Sequence, residues 1–476
     1  MAYRWLLSPK WLVLMALLLA LIVAAACGGE EKTPTSAPTP TALPAAPVAA
    51  PTRAPAPTAT PTTAVVAPTA TVAPAAMTTP IGGPGAVYRG KLEDLVGPGP
   101  LGENITLDLL EKYRWIFESD YYNFLMERAR VDNPTKLVTT GKKFKFQYSC
   151  INRTLLPCKV METYFAPNVL KRTGGQVDIQ VVGYPELAIA GPDTLRLLAD
   201  GTLGFTEITG AYVGGDMPVL DLYYLWGLYP DRATDFKAVT TILPDLDRAV
   251  GEQTGGGVVV THNVYAGNDQ FFYSRRPLLK IEDFKGLKTR SHGTTMSDLI
   301  NGLGGDAQFV AFADTYTALE RGILNAAASG VTAGYGLRWF EVSKYLWGPV
   351  ISMPMDFIIF NSKVWSNFPS DIQQILIEEG AKEELELLRV AAEWNETGVP
   401  KAVAAGMTHN PVTPEMYQYI LDEVVIKRMI PNWIKRVGGP NSKEVAFFNE
   451  KVSPIAGIKI NPDGTVVKIR EIKIGQ

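Results

Sequence analysis

Residues 281–290 read IEDFKGLKTR, and the turn SHGTT at 291–295 follows them. Asp283 to Gly286 are typical of a tight turn, with Gly286 supplying the permissive backbone. The next residues, up to Arg290, predict a short strand, and a helix is expected to begin near Thr294. In open α/β sheets, ligands bind outside the carboxyl ends of strands. A guanidinium at such an end can hold a carboxylate through two parallel hydrogen bonds, although it can equally form a surface salt bridge.

The segments on both sides of this stretch alternate between strand and helix patterns. Apolar residues alternate at 144–148 and 176–182 and recur at helical spacing over 160–171. This order predicts an α/β fold with helices on the faces of a sheet. The remaining predicted elements are helices at 194–199, 296–302 and 315–321 and strands at 203–207, 258–262, 270–273 and 308–310.

A long helix is predicted near residue 370. Ser370 is followed three residues later by Gln373, which is a capping-box pattern, and apolar positions then recur at helical spacing to about Glu396. Such a helix would span roughly 40 Å. Because this exceeds one small lobe, the helix is expected to bridge two lobes.

The N-terminus has the pattern of an export signal. Arg4 and Lys10 precede an apolar run at 11–23, which ends in small residues and Cys27 and is short for a transmembrane helix. Cysteine directly after small residues resembles the bacterial lipoprotein cleavage site, so residues 1–26 are expected to be removed and Cys27 lipidated. Two or more acyl chains would hold the protein on the outer face of the cell membrane. The alternative is an unlipidated signal or a membrane anchor.

Two further N-terminal segments follow Cys27. Residues 27–86 are rich in Pro, Thr and Ala with very few charges, which predicts a disordered, semi-stiff tether. Residues 87–141 form an N-terminal extension, in which Thr106 caps a predicted helix with an apolar stripe reaching Leu125. This helix is expected to pack on the folded body, with binding to a partner as the alternative.

Composition excludes several classes of function. The net charge is −3 and becomes two charges more negative without residues 1–26, so no basic excess is present to bind nucleic acid. His262, His292 and His409 are too scattered for a zinc signature, and each is expected to be a surface or structural histidine. No metal site and no cofactor are predicted. In an exported chain, Cys150 and Cys158 form a disulfide or remain two buried thiols.

Several short motifs occur together in one order and spacing. They are RTGGQV at 172–177, DGTL at 200–203, Pro277 with DFKGLKTR at 283–290, FADTYTAL at 312–319 and FEVSKYL at 340–346. With the long helix, they resemble the extracytoplasmic solute-binding proteins of tripartite ATP-independent periplasmic (TRAP) transporters, the DctP family. The resemblance covers about residues 142–476.

The resemblance implies a two-lobed, periplasmic-binding-protein-like (type II) α/β fold with hinge strands. Lobe 1 would hold residues 142–266 and 355–394, and lobe 2 residues 267–354 and 395–476, with the long helix spanning both. Such a protein is not an enzyme. It closes on a small organic acid outside the cytoplasm and delivers it to the small and large membrane subunits of an ion-driven permease.

The resemblance also assigns site residues. Arg290 would clamp the ligand carboxylate and Phe312 would lie against the ligand, with Ser149, Thr209 and Tyr212 on the lobe 1 side. Three positions depart from the sialic-acid-binding members: Gln270 replaces a second arginine, Ser329 an asparagine and Thr209 an acidic residue. With one cation removed, a monocarboxylate such as a hydroxy, keto or aromatic acid is expected, unless His292 supplies the second positive charge.

Two other functions remain open from the sequence. A ligand-presenting sensor lipoprotein for a membrane receptor would have the same features. An exported hydrolase is the third class, although no Gly-x-Ser-x-Gly elbow is present to place a nucleophilic serine.

Overall fold

The computed structural model describes residues 82–264 and 268–474. The predicted signal peptide therefore lies outside the described residues. The same is true of Cys27, of nearly all of the predicted tether and of the predicted boundary between the lobes at 266/267.

Strands and helices alternate along most of the described chain. In chain order the strands are β1 (Gly97–Pro98), β2 (Asn104–Ile105), β3 (Phe144–Cys150), β4 (Val177–Gly183), β5 (Phe205–Thr209), β6 (Val258–Val264), β7 (Gln270–Ser274), β8 (Lys288–Ser291), β9 (Asp306–Phe309), β10 (Ala326–Gly330), β11 (Tyr345–Val350), β12 (Met355–Phe360), β13 (Thr408–Pro411), β14 (Ile458–Ile460) and β15 (Val466–Lys468). The helices are α1 (Leu107–Lys112), α2 (Arg114–Phe117), α3 (Asp120–Ala129), α4 (Leu156–Val160), α5 (Ala166–Arg172), α6 (Thr194–Ala199), α7 (Gly210–Val213), α8 (Arg232–Gln253), α9 (Thr294–Gly302), α10 (Thr315–Glu320), α11 (Val331–Gly336), α12 (Ser362–Ser366), α13 (Ser370–Ala404), α14 (Pro414–Tyr419), α15 (Ile430–Arg436), α16 (Lys443–Phe447) and α17 (Ser453–Ala456). Three π-helical segments connect α4 to α5, α14 to α15 and α16 to α17: Met161–Phe165, Ile420–Met429 and Phe448–Val452.

Two separate sheets define two lobes. The lobe 1 sheet has five strands in the order β4-β3-β5-β12-β6, and the lobe 2 sheet has six in the order β13-β11-β7-β10-β8-β9. The chain crosses from one sheet to the other after β6 and returns between β11 and β12. The predicted two-lobed α/β fold is therefore confirmed.

Helix α13 contacts both lobes. It packs against β6 of lobe 1 and against α11 of lobe 2, and its 35 residues extend over about 52 Å. Glycine residues allow α13 to approach β6 and α11 closely. A Cβ on Gly380 would lie 2.7 Å from the Val260 carbonyl oxygen, and a Cβ on Gly398 would lie 2.4 Å from Val331 Cγ1. In the described part of the chain, no helix is both long and apolar enough to cross a membrane.

The predicted start and end of this helix are wrong in detail. Pro369 precedes the first turn and no side chain caps it, so Ser370 is the first helical residue and not the N-cap. The Gln373 amide instead donates to the Trp365 carbonyl oxygen at 2.9 Å. The helix also continues eight residues past Glu396, to Ala404.

The N-terminal extension forms three short helices where one was predicted. Thr106 does cap the first, because its hydroxyl oxygen accepts a hydrogen bond from the Leu109 amide. That helix ends at Lys112, and Ser119 later begins α3, because its hydroxyl accepts a hydrogen bond from the Tyr122 amide. A side chain that caps a new helix cannot lie inside a continuous one.

The extension packs along α13, as expected. The carboxylate of Asp371 accepts hydrogen bonds of 2.7–2.8 Å from the Val138 and Thr139 amides and from the Thr139 hydroxyl. These hydrogen bonds hold the pKa of Asp371 at about 2, although burial opposes the shift. Farther along α13, the Tyr121 hydroxyl donates to Glu384.

Two of the three histidines have structural contacts only. Buried His262 lies between Asp247, 2.7 Å from its Nε2, and Glu384, 3.4 Å from its Nδ1. Burial disfavours its charge, but these two carboxylates outweigh burial and raise the pKa of His262 to about 10. His409 Nε2 lies 3.0 Å from the Gly348 carbonyl oxygen. Both agree with the prediction of structural histidines.

Candidate functional site

A cavity of about 80 Å³ lies where the strand ends of the two lobes face each other. Lobe 1 contributes Ile151, Leu155, Thr209, Tyr212, Tyr224 and Asp356 to its wall; lobe 2 contributes Gln270, Arg290, His292, Phe312, Ser329, Gly330 and Ala333; the crossing segments contribute Asn268 and Pro354. Seven of the eight ligand-binding residues predicted from the sequence are in this wall.

Arg290 is a buried cation without an acidic partner in the described residues. Its side chain is 1 % exposed. Nε donates to the Val310 carbonyl oxygen at 3.1 Å, and Nη1 donates to the Ala328 carbonyl oxygen at 2.9 Å. No carboxylate of residues 82–264 and 268–474 lies within 4.0 Å of the guanidinium nitrogens. Burial lowers the pKa of Arg290 to about 10, so the side chain stays charged at neutral pH.

His292 does not supply a second positive charge. It is half-buried, and Nη1 of Arg290 donates to its Nδ1 at 3.2 Å. Burial lowers the pKa of His292 well below its ordinary value, and the charge of Arg290 lowers it further. The imidazole is therefore neutral, and the hypothesis that His292 replaces the missing cation is wrong.

Aromatic rings cover the guanidinium of Arg290. Its central carbon lies 5.5 Å from the centre of the Phe312 ring and 5.7 Å from that of Trp339. Such contacts stabilise a cation that water cannot reach. The contact of Trp339 with Arg290 was not predicted. Trp339 begins the sequence WFEVSKYL at 339–346, and no local pattern there indicates a contact with residue 290.

Three polar atoms in the cavity wall have no hydrogen-bond partner among the described residues. They are Thr209 Oγ1, Asn268 Oδ1 and Gln270 Oε1. All three residues are less than 8 % exposed. Since buried polar groups are nearly always paired, these atoms are suited to contact a ligand. Asn268 was missed because no motif marks the crossing segment.

Ser149 does not contact the cavity, contrary to the prediction. β3 continues to Cys150, so Ser149 lies inside the strand, beside Thr206 of β5. Its hydroxyl donates to Thr206 Oγ1 at 2.7 Å. Ile151, the first residue after the strand, reaches the cavity instead.

A buried carboxyl pair joins Asp356 of the lobe 1 wall to Glu207, which does not line the cavity. Asp356 of β12 is next to Thr209 of β5, and its side chain is hydrogen-bonded to that of Glu207. Burial raises the pKa of Glu207, although the Ile151 amide (2.9 Å) and the Asn263 side-chain amide (3.1 Å) donate to its carboxylate. Two carboxyl groups in direct contact repel each other when both are ionised, which favours the protonated form of one of them.

A disulfide closes the loop that carries two cavity residues. Cys150 and Cys158 are joined, and Ile151 and Leu155 lie between them. Together with Glu207, the two sulfur atoms form the one group of three metal-ligand residue types found in the described chain. The disulfide uses both sulfur atoms, so this group is not suited to hold a metal ion.

A larger surface depression of about 660 Å³ lies between α8 and the C-terminal helices. Its half-buried Arg436 differs from Arg290, because Arg436 already forms ion pairs with Asp221 at 2.9 Å and Asp298 at 2.8 Å. An anionic ligand would have to compete with these carboxylates. The cavity between the lobes is therefore the better candidate site, despite its smaller volume.

Comparison with known proteins places this chain in a protein family. Residues 158–424 match the family described as bacterial extracellular solute-binding protein, family 7 (DctP). The C4-dicarboxylate-binding periplasmic protein DctP of Rhodobacter capsulatus is 25% identical over 246 residues, which are 50% of this chain and 71% of that protein. A solute-binding protein of Albidiferax ferrireducens is 25% identical over 235 residues, 48% of this chain and 67% of that protein.

Solved structures show the same fold. DctP7 of Bordetella pertussis, an extracytoplasmic solute receptor binding pyroglutamic acid, has a TM-score of 0.58 at 19% identity and covers 63% of this chain and 97% of its own. A TRAP periplasmic solute-binding protein from Desulfovibrio salexigens with bound orotic acid has a TM-score of 0.58 at 20% identity, over 66% of this chain and all of its own. The motif order, the two lobes and the family match agree, and the chain belongs to the DctP family of bacterial extracellular solute-binding proteins.

Proposed function

We propose that this protein captures a small monocarboxylate in the cavity between its lobes and delivers it to the membrane subunits of a TRAP-type permease. The observation that carries the proposal is Arg290, a buried guanidinium with no carboxylate within 4.0 Å among the described residues. A charge in this position is costly unless a partner neutralises it. A ligand carboxylate is suited to be that partner.

The charges of the cavity support one carboxylate and not two. Arg290 is the only side chain in the described wall that is charged positively at neutral pH, since His292 is neutral. Gln270 contributes an amide, and Asp356 with Glu207 contributes acidic groups. A second ligand carboxylate would be buried without a counter-ion, which is costly.

The size of the cavity supports a small ligand. A volume of about 80 Å³ corresponds to roughly five to eight water positions. Pyroglutamate and orotate, which the two similar structures contain, are small monocarboxylates and fit this class.

The family and the N-terminal sequence support a proposal for location and partners. The protein acts outside the cytoplasm as a binding protein without enzymatic activity, held to the membrane by lipid on Cys27. The 27–86 tether lets it reach the small and large permease subunits. No cofactor and no nucleic acid take part.

Native mass spectrometry of protein purified from its host tests the proposal. We expect a co-purified acid of one negative charge, and the same acid should raise the melting temperature of ligand-free protein. In a thermal-shift screen, greater stabilisation by succinate, malate or sialic acid than by every monocarboxylate would contradict it. A protein that releases a chemically altered product from esters or peptides would instead be a hydrolase.

A further inference from the structure

The end of the lobe 2 sheet that lies opposite the cavity carries a group of exposed cations. We infer that this surface binds the headgroups of an anionic phospholipid bilayer and holds lobe 2 against the membrane. We call it the basic rim and define it by six residues: Arg275, Arg276, Lys280, Lys285, Lys288 and Lys344. The inference concerns a surface separate from the cavity, so it depends neither on the ligand nor on a lipid at Cys27.

Backbone hydrogen bonds join the segments that carry the basic rim. The Lys344 amide donates to the Ser274 carbonyl oxygen at 3.0 Å, and the Arg275 amide donates to the Asn325 carbonyl oxygen at 3.0 Å. The Asn325 amide in turn donates to the Lys288 carbonyl oxygen at 2.8 Å. These contacts lie where β8, β10 and β11 begin and where β7 ends. The cavity lies near the other ends of β7, β8 and β10, so both surfaces can be occupied at once.

The positive charge of the basic rim is not neutralised by neighbouring acids. All six cations are exposed, and none forms an ion pair with a carboxylate in the part of the chain that the structure describes. Asp283 and Asp306 lie among them but are half-buried and already accept hydrogen bonds from nearby amide groups. Glu282 is exposed, and Glu320 is offset by the adjacent Arg321. The basic rim therefore has an excess of positive charge on a chain whose net charge is −3.

Two aliphatic side chains protrude beside these cations. Leu279 is 62 % exposed and Ile323 is 61 % exposed. Leu279 follows Arg276 in the segment between β7 and β8. A Cβ on Gly322 would lie 2.9 Å from Arg275 Nη1, which places the neighbouring Ile323 beside the same segment. Surfaces that bind an anionic bilayer combine cations for the phosphates with apolar groups that enter the boundary between headgroups and acyl chains.

An extended anionic surface fits this arrangement better than a single small anion. None of the six cations lines either of the two cavities described above, so they do not converge on one bound group. Long, exposed lysine side chains can each meet a different phosphate of a bilayer without a fixed geometry. Each such cation near an anionic membrane strengthens binding roughly fivefold. Even weak binding suffices for a protein that a tether keeps near the membrane.

Vesicle binding by the chain that begins at Gly28, which cannot be lipidated at Cys27, tests the inference. The probes are vesicles of phosphatidylcholine alone and vesicles that contain about one third phosphatidylglycerol, with bound protein separated by sedimentation. We expect at least tenfold stronger binding to the anionic vesicles at about 0.1 M salt. Most of this difference should disappear at about 1 M salt, where screening acts beyond roughly 3 Å. Hydrogen exchange at 275–287 and 321–324 should slow on the anionic vesicles only.

A triple variant tests the cations of the basic rim directly. Its substitutions are Lys285→Gln, Lys288→Gln and Lys344→Gln, at side chains that form no hydrogen bond with the described residues. Loss of three cations should weaken binding to the anionic vesicles at least tenfold, and by roughly 100-fold if all three lie close to the phosphates. Leu279→Ser combined with Ile323→Ser should weaken the binding that remains at high salt, because that part is apolar.

The matched control removes three exposed lysines of lobe 1: Lys171→Gln, Lys237→Gln and Lys363→Gln. It changes the net charge by the same amount and should weaken binding less than threefold. Both triple variants should bind the acid of the proposed function as the wild type does, because neither set of lysines lines the cavity. A defect in vesicle binding is thereby distinguished from a defect in ligand capture.

Several results would overturn the inference. They are equal binding of wild-type protein to both kinds of vesicle, binding to neither, and equal losses in the two triple variants. If the chain ignores lipid vesicles but binds, through the basic rim, vesicles that contain the membrane proteins of its host, then the rim takes a protein partner and the inference is wrong. The wild-type measurements need no variant, so misfolding of a variant does not protect the inference.

Discussion

Replacing Arg290 with methionine should separate ligand binding from stability. The substitution keeps an extended side chain of similar length but removes the charge. Breaking a buried pair between a ligand carboxylate and its cation costs about 2–5 kcal/mol. This corresponds to a loss of affinity of roughly 30-fold to several thousand-fold.

The ligand-free protein should respond very differently. Burial lowers the pKa of Arg290 to about 10, which means that keeping this group charged costs about 3 kcal/mol of folding free energy. Removing the charge recovers that cost. It also leaves the Val310 and Ala328 carbonyl oxygens without a donor, at about 1–3 kcal/mol each. The two effects oppose each other, so we expect the free energy of unfolding to change by less than about 3 kcal/mol.

Two measurements check this prediction. Calorimetry with the best-bound acid of the thermal-shift screen gives the affinity, and urea unfolding without ligand gives the stability. Arg321→Met, which changes an exposed arginine of the same lobe, is the matched control and should bind as the wild type does. Folded Arg290→Met that loses less than tenfold in affinity would refute the assignment of Arg290 as the carboxylate clamp.

Three further predictions concern pH, motion and anchoring. The pKa of His262 in the folded protein is raised to about 10, so its charge stabilises the fold fully below the unfolded pKa, and this stabilisation is lost as pH rises toward 10. The substitution His262→Gln should therefore flatten the fall in unfolding free energy between pH 7 and 10. An unchanged slope would count against a charged His262. Small-angle scattering of the chain from Gly82 onward should show a smaller radius of gyration with saturating ligand than without it. The reason is that a ligand shifts the population toward closed lobes only if it binds the closed form more tightly than the open form. Identical profiles would contradict closure. Cys27→Ala should leave the precursor unprocessed and unlipidated, and labelling with a fatty-acid analogue at the wild-type level would disprove lipidation at this residue.

Local sequence was sufficient to predict the elements around the arginine strand. Gly286 has a φ of +65°, as the predicted turn requires, and α9 begins at Thr294. The local turn and strand pattern placed Arg290 at a strand end, whereas the resemblance to the family assigned Gln270, Thr209 and Ser329; all four residues line the cavity. A strand end depends on a few neighbouring residues, which is why sequence patterns can locate it.

The tertiary structure alone decided the chemical state of the site. Whether His292 is charged depends on its burial and on the neighbouring charge of Arg290. Trp339, Asn268 and Asp356 approach the site only after distant segments come together. The sequence by itself determined the family and the two lobes and placed Arg290 at a strand end, because motifs and their order carry this information. The number of charges, the unpaired acceptors and the dimensions of the cavity arise only where the two lobes meet, since desolvation and hydrogen bonding depend on all the groups that surround a side chain.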